Sequence, residues 1–144
     1  MKIIFFFMQH FLSYMYTKYG QLALRFAVAG VFMYHGSQKL FTQTEGIAFF
    51  FDKIGIPMAG LMVYVVGAVE FFGGLAIALG AFTQYAAMGH VAVMLVAIFV
   101  AKGLSSWKAI ELETVLLAAS INLMLGGAGE LSIDAMMKKK DSPK

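Results

Sequence analysis

The sequence predicts an all-α fold, an integral membrane four-helix bundle, on three observations. Of its 144 residues, 60% are hydrophobic and 13% charged, whereas soluble domains run at about 45–50% apolar and about 25% charged. A chain of this size buries only about 70% of the surface it exposes when unfolded, so a mean hydropathy of +0.79 makes lipid the solvent for most of it. Second, apolar runs long enough to cross about 30 Å of hydrocarbon, at a helix rise of about 1.5 Å per residue, occur in four places. Third, short turn-rich segments separate most of these runs, which forces consecutive helices to pack antiparallel. There is no cysteine. Disulfides, thiolate metal sites, iron–sulfur ligation and CxxC redox chemistry are thereby excluded on this chain.

The leader Met1–Tyr16 comes first, in a segment bounded at residues 1–18. Its apolar run Ile3–Met8 is too short to span, and no small-residue cleavage pattern follows it, so it is not read as a signal peptide. Phe5, Phe6, Phe7, Phe11, Tyr14 and Tyr16, flanked by Lys2 and Lys18, suit a helix lying in the membrane interface. A partly ordered leader is the alternative. The bundle itself is expected over residues 19–135. Its first span covers about Tyr19 to Gly36. Glu45–Ile56 then mixes Ile47, Phe49, Phe50, Phe51 and Ile54 with Asp52 and Lys53, as a short amphipathic helix between spans would. The second span runs from Pro57, suited to a first helical turn, to Leu79, with Gly80 as its stop. The third covers Tyr85–Ala101 and is broken by Lys102–Ser106. The fourth covers Ile110–Leu125 and ends at Gly126, Gly127 and Gly129. A basic tail, residues 136–144, closes the chain.

Four of the eleven cations lie in that tail, at Lys138, Lys139, Lys140 and Lys144. A short basic tail after a hydrophobic segment suits anionic lipid, and with no basic stripe elsewhere nucleic acid is not expected as a partner. An even number of spans puts both termini on one side. Six lysines there, against Lys39, Lys53, Lys102 and Lys108 opposite, point to cytoplasmic termini.

Ionisable groups inside the apolar runs are the functional candidates, because a charge at mid-helix costs on the order of 2.5–3.5 kcal/mol on insertion. Counted from the nearer helix ends, Arg25 lies about 9 Å deep and Glu70 about 14 Å deep on the same side, so the sequence predicts that they pair. Gly60, Gly67 and Gly74 repeat every seven residues beside Glu70 and offer a smooth face for close helix contact. His90 and Asn122 fall at similar depth, giving an expected cluster of Arg25, Glu70, His90 and Asn122. A second group joins His35, Gln38 and Lys39 to Trp107, Lys108, Glu111 and Glu113 at the opposite face. Arg25, Phe32, Gly36 and Lys39 share one face of the first helix. Each candidate also has a plainer reading. An Arg–Glu pair in lipid can simply fix which helices dock, and a lone histidine such as His90 can be a hydrogen-bonded core residue. His35 and His90 sit at opposite depths, so a haem between them is not expected. No metal site is expected either.

The motifs resemble those of a known family. Arg25 followed by Phe32-Met33-Tyr34-His35-Gly36-Ser37-Gln38-Lys39-Leu40 resembles the first helix of DoxX proteins. So does Gly67-Ala68-Val69-Glu70-Phe71-Phe72-Gly73-Gly74, with Leu79-Gly80 closing the second helix. Gly127-Ala128-Gly129-Glu130-Leu131-Ser132-Ile133-Asp134 is similar to the family's glycine-rich turn with its Ser-hydrophobic-Asp close, Ala128 standing where proline is commoner. The resemblance covers about Gln21 to Ala135. It implies a four-span bacterial inner-membrane protein of redox character. Relatives include a membrane subunit of thiosulfate:quinone oxidoreductase and a protein that assembles with a sulfurtransferase and a superoxide dismutase.

Three functions stand open at this point. The first is a quinone-linked redox or redox-complex subunit. In it Arg25, His35, His90 and Asn122 would bind the head group, with Glu70 as proton acceptor and Arg25 and His90 as donors. The second is a non-enzymatic membrane anchor that recruits a soluble redox enzyme. The third, small-solute transport, would need a homo-oligomer, because four short helices leave little room for a path.

Overall fold

Within hydrocarbon a single segment satisfies its own backbone only as a helix, and alanine, leucine and valine dominate the expected spans. The computed structural model describes residues 2–15 and 19–140, and among these there is no strand. The α-helices are α1 (Lys2–Met15), α2 (Gln21–Ser37), α3 (Thr44–Lys53), α4 (Ala59–Leu79), α5 (Thr83–Val96), α6 (Trp107–Gly126) and α7 (Ile133–Lys140). Among the described residues, π-helical turns prolong α2 and α5 at their C-terminal ends. Gln38–Thr42 continues α2 and Ala97–Ala101 continues α5, each closed by a bond five residues long: Gln43 N to Gln38 O at 2.7 Å and Lys102 N to Ala97 O at 3.0 Å.

Ala59–Leu79, Thr83–Ala101 and Trp107–Gly126 are each long and apolar enough to cross a membrane. The helix α2 has 17 residues before its π turn. It packs on α4, α4 on α5, α5 on α6, and α6 returns to α2, so these four form the bundle. The amphipathic segment between the first two spans is α3, whose buried Phe51 packs with Ala59 and Val63 of α4. In α1 the side chains of Ile4, Phe5, Phe6, Phe7 and Phe11 are all exposed. Tyr16 and Lys18 of the leader, and residues 141–144 of the tail, lie outside the described residues.

Helix starts differ from those expected. Pro57 stays outside α4, because Met58 takes a left-handed conformation (φ 51°) ahead of Ala59. The fourth helix begins three residues before Ile110, where Ser106 accepts the Ala109 N–H at 3.3 Å and caps it. At the other end of α4, Gly80 is left-handed (φ 69°), and Ala81 N–H returns to Ala76 O at 2.9 Å. This closure stops the helix as a C-terminal glycine does. The bundle therefore has two ends, named here by Gly80 and by Ser105. A core of Val28, Ala29, Ile77, Ala87 and Leu123 fills the Gly80 half.

Glycine decides how closely α2 approaches α4. A Cβ on Gly36 would lie 2.5 Å from Phe71 N and 2.8 Å from Gly67 O. A Cβ on Gly74 would meet Met33 Cγ at 2.8 Å. Of the heptad glycines, Gly60 does not take part, since nothing lies within 4 Å of its Cβ position. These contacts yield a paired expectation for thermal melting in detergent. Gly36→Ala should destabilise by about 1–3 kcal/mol through overpacking. Gly30→Ala, with open space at its Cβ position within α2, should be neutral or stabilising by up to about 1 kcal/mol. Equal melting temperatures for the two variants would show that the backbones are not this close.

Candidate functional site

Arg25 does not meet Glu70. Its guanidinium donates to four backbone carbonyls: Ile77 O at 2.8 Å, Ala78 O at 2.6 Å, Leu131 O at 2.6 Å and Ala128 O at 3.1 Å. Ile77 and Ala78 belong to the last turn of α4, where carbonyls lack the usual i+4 donor, though Gly80 N–H also reaches Ile77 O at 3.1 Å, and the dipole favours a cation. The long side chain has turned toward the nearer membrane boundary rather than inward to the carboxylate. Gly80 makes this possible, since a Cβ there would lie 2.6 Å from Arg25 Nη2 and 2.5 Å from Ser132 Cβ. The return segment answers in kind. Asp134 accepts Phe82 N–H at 2.8 Å and Thr83 N–H at 3.0 Å, which caps the start of α5, and its own N–H donates to Gly80 O at 2.8 Å. Ser132 donates to Gly129 O at 2.6 Å and accepts Ala135 N–H at 3.1 Å.

Glu70 pairs instead with Lys39, Nζ to Oε2 at 2.7 Å, and the two side chains are 4% and 14% exposed. Two local features bring the lysine inward. It stands in the π turn that follows α2, and its Cβ lies 2.9 Å from where a Gly67 Cβ would be, one turn before Glu70. Both residues line a cavity of about 630 Å³ in the Ser105 half, within the range of small-molecule sites. Phe32 and His35 of α2, Met62, Val66 and Val69 of α4, and Glu113 and Leu116 of α6 also form its wall. The second π turn contributes Ala97, Val100 and Ala101. Short π segments recur at functional sites because the extra residue redirects side chains. The wall is thus almost wholly apolar, with polar groups at His35, Lys39, Glu70 and Glu113.

The expected four-residue cluster is divided. His90 is fully buried, stacks on Phe32 with ring centroids 3.6 Å apart, and has Nε2 3.2 Å from Val69 O. That bond assigns the proton to Nε2. Gly73 leaves room for the ring, since a Cβ there would lie 2.8 Å from Nε2. Asn122 accepts from Gln21 Nε2 at 3.2 Å, near the Gly80 end of α2 and α6. Neither residue lines the cavity, and nor does Arg25. The second expected group is partly assembled: His35, Lys39 and Glu113 share the wall, while Trp107 is exposed. Glu113 also holds Lys102 at 2.7 Å. Sequence reasoning placed Lys39 in the second polar group at the opposite face and missed its pairing with Glu70. The usable signal was Gly67, a side-chain-free position three residues before the buried carboxylate.

Two double-substitution cycles separate the expected pairing from the observed one. Lys39→Met or Glu70→Leu alone should each cost about 3–5 kcal/mol by leaving one charge unpaired, with much of this recovered in the double variant. Arg25→Leu should add to Glu70→Leu without recovery, because each of the carbonyls it abandons costs about 1–3 kcal/mol. Recovery in the Arg25/Glu70 cycle would refute this assignment of partners.

Comparison with known proteins accords with this architecture. The DoxX family profile matches residues 20–103. A protein of Bacillus subtilis (strain 168) named "Putative oxidoreductase CatD" is 32% identical over 121 residues, covering 83% of this chain and 88% of that one. No solved structure matches. With the Arg25 and Glu70 motifs inside the matched region and a relative of nearly equal extent, the chain belongs to the DoxX family.

Proposed function

We propose that the protein is a quinone-linked redox subunit of the bacterial plasma membrane, with four spans (α2, α4, α5 and α6) and both termini in the cytoplasm. The observation that carries this reading is the buried Lys39–Glu70 pair in the wall of an otherwise apolar cavity. A quinone supplies two-electron, two-proton chemistry and needs apolar walls, hydrogen-bond donors for its carbonyls and a group that exchanges protons. Lys39 has donors beyond the one spent on Glu70. Glu70 is the proton-exchanging group, and His35 is the second donor. Arg25, His90 and Asn122 are left out of this site because none of them lines the cavity. The relative's name supports the redox character. A soluble sulfur or superoxide enzyme would be the partner that brings electrons, since the chain has no cysteine of its own.

Two experiments test the reading. The purified protein should carry bound quinone, seen by extraction and by an oxidised-minus-reduced difference spectrum. Glu70→Gln should keep the fold and lose quinone-dependent turnover with the electron donor, because an amide cannot take up the proton. Wild-type turnover by a folded Glu70→Gln protein would remove Glu70 from the chemistry. Stoichiometric recovery of a soluble enzyme without quinone would favour the anchor reading instead. For topology, Glu130→Cys should label from the cytoplasmic side and Ser105→Cys from the opposite side, and reversed accessibility would overturn the orientation.

A further inference from the structure

We propose that the buried Lys39–Glu70 pair exchanges protons with the Ser105 face alone, by way of Glu113 and His35, and that the Gly80 half is sealed against them. At the water-facing end stands a second pair, Lys102 and Glu113 at 2.7 Å, with side chains 37% and 14% exposed. Glu113 lines the same cavity as Glu70, and its Oε2 has no protein partner. His35 lies on the same wall, within electrostatic range of Lys39 of the one pair and of Glu113 and Lys102 of the other. The charged groups around it therefore come from its own π extension, from the end of α5 and from α6, while Glu70 of α4 stands behind Lys39. A water needs only about 10–15 Å³ of probe-sized space and a few polar partners, so the polar rim of the cavity has room for a chain of them.

The opposite direction offers no such route. Between Glu70 and the Gly80 face lie Val28, Ala29, Ile77, Ala87 and Leu123, each 2% exposed or less. The polar side chains there are shut off from water: Thr83, His90 and Ser120 are each 0% exposed, and Arg25 is held by its four carbonyls. The transfer itself moves protons only. A proton from water or Glu113 is taken up at a ring nitrogen of His35, which releases one to the Glu70 carboxylate, and no oxidant or reductant is consumed. This route does not rest on quinone being the ligand, since any chemistry at Glu70 that takes or gives a proton would draw on the same face.

The test uses dicyclohexylcarbodiimide, a lipid-soluble reagent that adds to protonated carboxyl groups, and reads the adduct on Glu70 by mass spectrometry. The full-length Ser105→Cys protein is reconstituted at less than one chain per vesicle. Vesicles with the introduced thiol facing outward are captured through an impermeant biotin-maleimide. In these, Glu70 labelling should fall by up to about tenfold for each unit rise in external pH above the group's midpoint, and should ignore internal pH. His35→Gln, which cannot carry the proton, should lose this response within the labelling time while keeping its melting temperature. Glu70→Gln should give no adduct at that peptide. Labelling that follows internal pH, or both pH values equally, would overturn the one-sided route. A folded His35→Gln protein that responds as wild type would overturn the part given to His35, and neither result would bear on whether quinone binds.

Discussion

A guanidinium within hydrocarbon must find acceptors, and Arg25 finds four backbone carbonyls, of which Ile77 O is shared with the Gly80 N–H. Two close the C-terminus of α4 and two belong to the turn after α6, so one side chain joins the first, second and last parts of the bundle. In lipid an unsatisfied backbone group costs several kcal/mol. The turn at 128–131 therefore cannot leave without stranding both itself and the arginine. Asp134 completes the closure from the same segment by capping α5. The Ser132-Ile133-Asp134 close and the Leu79-Gly80 stop are thus parts of one clasp at the Gly80 face, and their chemistry is structural.

Closure at that end sets the character of the other. The Gly80 half is filled by small and branched side chains at exposures near zero, while the Ser105 half carries the π turns Gln38–Thr42 and Ala97–Ala101 and the cavity. A π turn inserts a residue without ending the helix, so the side chains after it point where an α-helix would not send them. Lys39 is carried inward by one such turn, and the other places Ala97, Val100 and Ala101 on the facing wall. Rigidity and room are segregated along the helix axis.

The helical periods made much of this readable in advance. Four apolar runs with short connections specified the bundle, and a shared helix face specified that Arg25, Phe32 and Gly36 are buried together. Pairing was not readable, for a geometric reason. Glu70 is eleven residues from the start of α4 and nine from its end, so by rise it is nearly equidistant from the two faces. Counting depth from one end selected Arg25, although a lysine from the other end reaches as well. The π turns that decide the matter have no residue signature. The glycine heptad was half informative. Gly67 and Gly74 are needed for contact with α2, and Gly60 merely shares their phase.

The Lys39–Glu70 pair is a costly feature that the fold does not require. Docking of α2 on α4 is already set by Gly36, Gly67 and Gly74, and by the arginine at the far end. A buried ion pair adds little stability over well-packed apolar residues of the same volume, because desolvation offsets most of its attraction. Two leucine-like side chains at these positions would fill the cavity wall at no electrostatic cost. An ammonium and a carboxylate facing apolar space are therefore best explained by what enters that space, and the functional reading belongs to this pair rather than to the arginine that first drew attention.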